Sequence, residues 1–326
     1  MSQSACNWNQ FIEQSNAIAI MGPTASGKTA LALELAKYLP IEIINVDSVL
    51  IYRDLNIGAA KPTDTELAQV PHHLMNFLGQ AQSYSVAEFV RDAQRLASEI
   101  FVRGKIPVLV GGTMMYFNAL TQGLSDLPTA DADIRSRLQA QFEQNPAELH
   151  AKLQKVDPQA AARINQADQQ RLIRALEVYE VSGQSLSSLQ HSRSTPWTYP
   201  LVKVVLMPES RQVLHDKIAQ RLQGMFAAGL VEEVASLAQQ PEHSHDSPAM
   251  RSVGYRQVLE FFAGHYPKEL LFDKALVATR QLAKRQVTWL RKETDGVILD
   301  PFAYSPDQLV AQVLEEVARK CKDMAE

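Results

Sequence analysis

The chain has 326 residues, 46% of them hydrophobic and 21% charged, enough apolar material for a sizeable core; global disorder is excluded, and one large or two modest domains are expected. A net charge of −4 argues against a general polyanion binder, yet Arg251 to Lys292 carries nine Lys/Arg against three Asp/Glu, a local +6 that leaves −10 for the rest. A basic segment in an acidic chain points to one local polyanion contact.

Ala17–Met21 reads as a buried strand, and Thr29 to Leu39 as a helix with Leu31, Leu35 and Leu39 on one face. Between them Gly22-Pro23-Thr24-Ala25-Ser26-Gly27-Lys28-Thr29 fits G-x-x-x-x-G-K-[ST], the phosphate-cradling P-loop. In such a turn the backbone N–H groups point inward and the helix N-terminus adds partial positive charge. Lys28 would reach the outer phosphate and Thr29 would hold Mg2+. The motif predicts a bound di- or triphosphate and leaves the reaction open.

A second apolar run, Ile41–Val46, ends at Asp47-Ser48. A carboxylate there could help hold magnesium, take a proton from a nucleophile, or simply cap a turn. Ser85-Val86-Ala87-Glu88 is a capping box opening a helix to about Phe101, with Gly104 just past it. Ile106–Val110 is a third strand, ending in Gly111-Gly112-Thr113. Paired glycines allow close approach of a ligand or a backbone, and Thr113 offers a hydroxyl; a plain tight turn fits as well.

From about Gly123 the strand pattern stops, in a stretch rich in Ala, Gln and charge. Helix starts are signalled at Asn145-Pro146, Asp157-Pro158 and Asp168; the last helix runs to about Ser182, before Gly183. Strands resume at Leu201–Met207 and Gly296–Leu299. Alternating strands and helices predict an α/β fold, a parallel sheet with helices on both faces, formed by 1–122 and 197–326, with 123–196 an inserted helical subdomain. Ligands on such sheets gather at the carboxyl ends of the strands, where the P-loop, Asp47-Ser48 and Gly111-Gly112-Thr113 all fall.

Arg211, Lys217 and Arg221 follow the fourth strand, where cations can neutralise a transferring phosphoryl group or a departing diphosphate. In the polar loop Glu242–Pro248, His243, His245 and Asp246 could be metal ligands, but a solvated loop is the better reading. Asp273–Lys292 reads as a helix with an apolar stripe of Leu276, Ala283, Val287 and Leu290. Arg280, Lys284 and Arg291 line another face, suited to phosphate-backbone contact. Arg251-Ser-Val-Gly-Tyr-Arg256 adds guanidiniums and a ring of the kind that stack on unpaired bases. Cys6 and Cys321, near opposite ends, support neither a disulfide framework nor a zinc site. With no basic-then-apolar leader and no apolar run of 18 residues, the chain reads as a soluble, cytoplasmic protein without membrane contact.

Together these segments resemble the tRNA dimethylallyltransferase (tRNA isopentenyltransferase) family, bacterial type, over about Ile18 to Leu299. The marks are GPTASGKT at 22–29, NVDSVLIYRDLNIGAAKPT at 45–63, LVGGTMMYFNAL at 109–120 and QRLIRALEVYEVSG at 170–183. They continue with RLQGMFAAGLVEEV at 221–234, RSVGYRQ at 251–257 and TRQLAKRQVTWLRK at 279–292.

The resemblance implies transfer of a dimethylallyl group from its diphosphate to N6 of the adenosine 3′ of the anticodon. It places the donor diphosphate on Gly22, Pro23, Thr24, Ala25, Ser26, Gly27, Lys28 and Thr29, with Arg221, and Mg2+ on Thr29. It makes Asp47 the general base, with Thr113 and Arg135 near the reacting centre. The implied tRNA contacts are Asp47, Ser48, Val49 and Leu50; Gln170, Arg171, Leu172, Ile173 and Arg174; and Arg251, Ser252, Val253, Gly254, Tyr255 and Arg256. They also include Lys284, Arg285, Gln286, Val287, Thr288, Trp289, Leu290 and Arg291. The helical insertion would embrace the anticodon stem-loop, and a monomer is expected. Many members have Gln where this chain has Leu50, so base reading departs there. A P-loop kinase and a non-catalytic RNA-binding P-loop protein are the competing readings.

Overall fold

The computed structural model describes residues 8–190, 197–241, 244 and 247–323. Cys6, His243, His245 and Asp246 lie outside the described residues. Contacts divide the chain into two compact units, 1–117 with 199–326, and 118–198.

The first unit is built on six parallel strands: β1 (Ala17–Met21), β2 (Ile41–Val46), β3 (His72–His73), β4 (Ile106–Gly111), β5 (Leu201–Leu206) and β6 (Val297–Leu299). Their order is β3-β2-β4-β1-β5-β6. The chain winds to one side of β1 through β2, β3 and β4 and then to the other through β5 and β6. β1 therefore marks the switch point, where a crevice opens at the strand ends.

β1, β2 and β4 are buried at every position, which is why they read as mainly apolar runs, with Glu42 and Asn45 the buried polar exceptions in β2. Ile18, Ile20, Ile41, Ile43, Val108, Val110, Val202 and Val204 share one core with Leu31 and Leu35 of the helix Lys28–Leu35. Leu309, Val310, Val313 and Val317 of the C-terminal helix Pro306–Asp323 close that core. The helix Val86–Val102 packs on β2 and β4, and its capping box at Ser85 and Glu88 is complete in both directions.

The second unit is helical: Ala132–Gln144, Pro146–Val156, Pro158–Ala161, Gln169–Ser182 and Leu186–Leu189. Asp131, Asn145, Asp157, Asp168 and Ser185 cap these helices through their side chains, and Gly183, at φ 70°, ends the fourth. Leu138, Leu149, Leu153, Leu172, Ile173 and Leu176 form its core.

Some bounds differ from the sequence expectation. The helix after the P-loop stops at Leu35 rather than Leu39, in a turn ahead of Pro40 that still buries Leu39. The basic helix is Leu271–Leu290, starting two residues early and leaving Arg291 as its C-cap.

A charged cluster fixes the β2 edge. Glu42, 3% exposed, accepts hydrogen bonds from Arg103 Nε at 3.0 Å and Arg103 Nη2 at 2.7 Å. His73 Nε2 lies 2.7 Å and Lys105 Nζ 3.4 Å from the same carboxylate. Burial alone pushes this carboxyl up; the hydrogen bonds from Arg103 and His73, and the charge of Arg103, outweigh it and hold the group at about 2. Because the folded value lies below the ordinary 4.5, the stabilisation is present above pH 4.5 and is lost as pH falls toward 2. Chemical denaturation from pH 6 to pH 3 should show Glu42→Gln less stable than wild type at pH 6 and less acid-sensitive below 4.5. Parallel acid profiles in the two proteins would refute this role.

Candidate active site

The loop after β1 has the geometry its sequence predicts. Ala25 (φ 64°) and Gly27 (φ 83°) both occupy the left-handed region, a conformation costly for alanine and characteristic of anion-cradling backbone. Gly22 is required by space: a Cβ there would sit 2.6 Å from Ser26 Oγ. That hydroxyl is buried and has no hydrogen-bond partner among the described residues. Lys28 Nζ folds back over the loop and donates to Pro23 O at 2.7 Å.

Arg221, on the helix Arg211–Ala227, shares this ground with Lys28. Desolvation and the repulsion of Arg221, only partly offset by Asp47, bring the Lys28 ammonium from 10.5 to about 8. Arg221 keeps much of its side chain in solvent, yet the protein crowded around it lowers its guanidinium as well, with Asp47 pulling the other way. Two cations and one carboxylate thus lie within electrostatic reach of one another at the switch point of the sheet. Arg221 also lines a cleft of about 690 Å³, together with Arg53, Asn56, Lys61, Asn76 and Met225.

Asp47 is held as well as placed. Its Oδ1 accepts Val49 N at 2.8 Å and its backbone carbonyl accepts Asn45 Nδ2 at 3.2 Å. The turn-capping reading is therefore correct for one carboxylate oxygen, and Oδ2 has no hydrogen-bond partner among the described residues. Thr113 Oγ1 accepts Ser48 N at 3.1 Å, and Thr113 N donates to Val46 O at 3.1 Å, tying the Gly-Gly-Thr turn to the Asp47 loop. Gly111 has no alternative: a Cβ there would lie 1.9 Å from Val46 O.

The wall of the cleft has a keystone that the sequence reading missed. Glu233 accepts from Asn56 N at 2.5 Å, Gly58 N at 3.1 Å and Tyr255 Oη at 3.0 Å, while Tyr255 Oη accepts Ala59 N at 3.2 Å. Tyr255 is fully buried and cannot stack on a base, contrary to expectation; burial and Glu233 also push its hydroxyl well up. Gly254 (φ 96°) turns the chain there, and Ser252 and Val253 are half-buried. Arg251 and Arg256 remain exposed.

The basic helix divides in the same way. Lys284, Arg285, Thr288 and Trp289 face out, and Lys292 Nζ lies 5.1 Å from the centroid of the Trp289 ring. Gln286 and Leu290 are buried and Val287 packs on Leu214, Ile218 and Ala283, so none of these three presents a side chain to RNA. Ser48 is exposed, and Val49 and Leu50 are half-buried.

In the helical unit, Gln170 and Arg171 are exposed, with Arg171 paired to Asp168 at 3.1 Å. Leu172 and Ile173 are core residues, which corrects their expected RNA contact: the helix turns them inward. Arg135 and Arg174 converge on the buried Glu177 at 2.9 and 2.8 Å, and Arg174 also donates to Pro128 O at 2.8 Å. Burial raises the Glu177 carboxyl, but the bonds and charges of these two arginines bring it below its ordinary value. Among the described residues no cluster of three or more His, Cys, Asp or Glu could hold a metal, and no helix is long and apolar enough to cross a membrane.

A phosphate-type loop at the switch point of a parallel sheet, with helices on both faces, defines a P-loop-like α/β protein. Residues 50–293 match the family described as IPP transferase, and the chain belongs to that family. It is 52% identical over 319 residues to the tRNA dimethylallyltransferase of Hydrogenovibrio crunogenus, covering 97% of this chain and 98% of that one. It is 50% identical over 292 residues to the tRNA dimethylallyltransferase of Neisseria meningitidis, covering 88% and 93%. The crystal structure of the full-length tRNA isopentenylpyrophosphate transferase from Bacillus halodurans superposes with a TM-score of 0.69 at 34% identity, covering 95% of this chain and 99% of that one. A eukaryotic dimethylallyltransferase acting on tRNA gives 0.75 at 25% identity, covering 88% and 74%.

The titration of Lys28 yields a binding test. The ammonium is charged below about pH 8 and loses its charge above it. Calorimetric affinity for inorganic diphosphate, taken relative to Lys28→Met so that the ligand's own titration cancels, should therefore be flat below pH 8 and fall above it, by up to roughly tenfold per pH unit. Lys28→Met should bind weakly at every pH; a relative affinity that stays flat above pH 8 would assign any alkaline decline to another group.

Proposed function

We propose that the chain transfers a dimethylallyl group from dimethylallyl diphosphate to N6 of the adenosine 3′-adjacent to the anticodon in tRNA, releasing diphosphate. The observation that carries the reading is that Lys28, on the loop after β1, and Arg221 both lie within electrostatic reach of Asp47 at the end of β2. The relatives' names supply the substrates, and this constellation supplies what the chemistry needs.

The donor's diphosphate sits in the loop Gly22–Thr29, over the unpartnered Ser26 hydroxyl and against Lys28 and Arg221. N6 attacks the terminal methylene of the dimethylallyl group. The C–O bond breaks and its electron pair leaves with the diphosphate. Negative charge grows there, so fixed cations help most in the transition state. Adenine N6 is a poor nucleophile because its lone pair is delocalised into the ring. Asp47, aligned by Val49 N and Asn45, accepts the N6 proton through its remaining oxygen as the new bond forms.

Thr113 and the exposed arginines position the nucleotide, which must leave the anticodon-loop stack to arrive. In the first unit Ser48, Arg251, Arg256, Lys284, Arg285 and Arg291 offer outward-facing polar side chains to the RNA, and in the helical unit Gln170 and Arg171 do the same. Leu50 brings no hydrogen bond to the base. The hydroxyls of Thr29 and Ser26 are oxygen donors of the type Mg2+ takes alongside substrate phosphates. Thr29 would hold the ion, which when bound adds charge neutralisation on the diphosphate. The working form is a cytoplasmic monomer engaging the anticodon stem-loop.

Incubation with radiolabelled dimethylallyl diphosphate, Mg2+ and unmodified tRNA should place label in the RNA. Absence of label together with phosphate transfer from ATP would favour a kinase. Asp47→Ala should lower turnover at least about a hundredfold with tRNA binding little changed; near-normal turnover would remove Asp47 from the chemistry. Arg285→Ala should weaken tRNA binding and flatten its salt dependence by roughly one phosphate contact. An unchanged slope would remove that helix from the grip.

A further inference from the structure

Gln286 belongs to the basic helix by sequence but not by direction. It lies on the same face as Ala275, Ala283 and Leu290, is 9% exposed, and points at the strand ends. Its Oε1 accepts Thr24 N at 2.9 Å, and its Nε2 donates to Gly112 O at 2.8 Å. One side-chain amide thus joins the phosphate loop to the Gly-Gly-Thr turn. From Gly112 the connection continues through Thr113 Oγ1, which accepts Ser48 N, to the residue beside Asp47. A buried Gln side chain offers donor and acceptor at a fixed spacing, and here one of each is used on a different functional loop.

The fit is mutual. A Cβ at position 112 would sit 2.4 Å from Gln286 Nε2, so only glycine leaves room for this bond. The two residues are coupled by space as well as by hydrogen bonding.

We infer that Gln286 is a positioning residue of the transfer reaction, holding the donor cradle in register with the Thr113–Asp47 loop, and that it makes no RNA contact. The inference rests on the prenyl-transfer reading above. Leaving group and proton acceptor sit on different loops, and a shift of about 1 Å between them costs on the order of a hundredfold in rate. Gln286 is the one side chain among the described residues that hydrogen-bonds both the phosphate loop and the Gly112 turn.

The test is Gln286→Met, similar in volume but unable to make either bond. Transfer to unmodified tRNA is measured with dimethylallyl diphosphate as donor, beside tRNA affinity at several salt concentrations. The expected result is a kcat lowered at least about tenfold, with tRNA affinity and its salt slope unchanged, the opposite pattern to Arg285→Ala. Gly112→Ala should reproduce the kcat loss, and the double variant should be no worse than the worse single one. Normal kcat with weakened tRNA binding, or fully additive losses, would overturn the inference. If Gln286→Met does not fold, Gln286→Asn serves: its amide, one methylene shorter, cannot reach Thr24 N and Gly112 O at once. A folded, fully active Gln286→Asn would also overturn it. Failure of wild type to label tRNA would instead sink the functional reading itself.

Discussion

The desolvation of Lys28, reinforced by the charge of Arg221, is the constraint on which the electrostatics of the site depends. Both effects disfavour the charged ammonium and Asp47 offsets them only in part, an imbalance that shows as the lowered Lys28 value. An anion bound beside Lys28 would reverse it, and in the proposed reaction the charge that grows as the C–O bond breaks would reverse it further; electrostatics arranged in advance lowers a barrier without reorganising at the moment of reaction.

The scaffold exists to keep that imbalance in place. β1, β2 and β4 are buried on both faces and end at the same edge, delivering the phosphate loop, Asp47 and Thr113 together. Gly22 and Gly111 let backbones approach where any side chain would collide. Glu42 ties β2 to Arg103 and His73 at the other end of the strand, and Glu233 with Tyr255 braces the cleft wall. In the helical unit Glu177 holds Arg135 and Arg174 in the same manner. A buried or half-buried carboxylate that organises donors around it recurs at each of these places, and it fixes geometry where apolar packing would only fill space.

Much of this was legible in the residues. Strands buried on both faces announce themselves as apolar runs, and Asn145, Asp157 and Asp168 marked helix starts because a side-chain acceptor before a helix satisfies otherwise unpaired N–H groups. Asp131 gave the same signal and went unread, since the helix after it buries only Leu138 and shows little apolar period. β3 is two histidines long and carries no pattern at all. The charged and amide side chains deceived for a different reason: neighbours in sequence point in different directions on a helix. Tyr255, Val258 and Leu259 repeat at helical spacing, and Gln286 falls in step with Ala283 and Leu290; both positions were readable as inward-facing from that period. What no period reveals is the partner. That Glu233 would meet Asn56 and Gly58, or that Gln286 would meet Thr24 and Gly112, depends on contacts between segments about 170 residues or more apart.

Whether Lys28 and Arg221 together seat an anion can be read by nuclear magnetic resonance of isotopically labelled lysine, following the Lys28 ammonium through its titration. A midpoint near 8 in the protein alone should rise by at least about one pH unit when inorganic diphosphate is added. A midpoint unmoved by saturating diphosphate would contradict it, because the anion would then be binding somewhere other than beside this lysine.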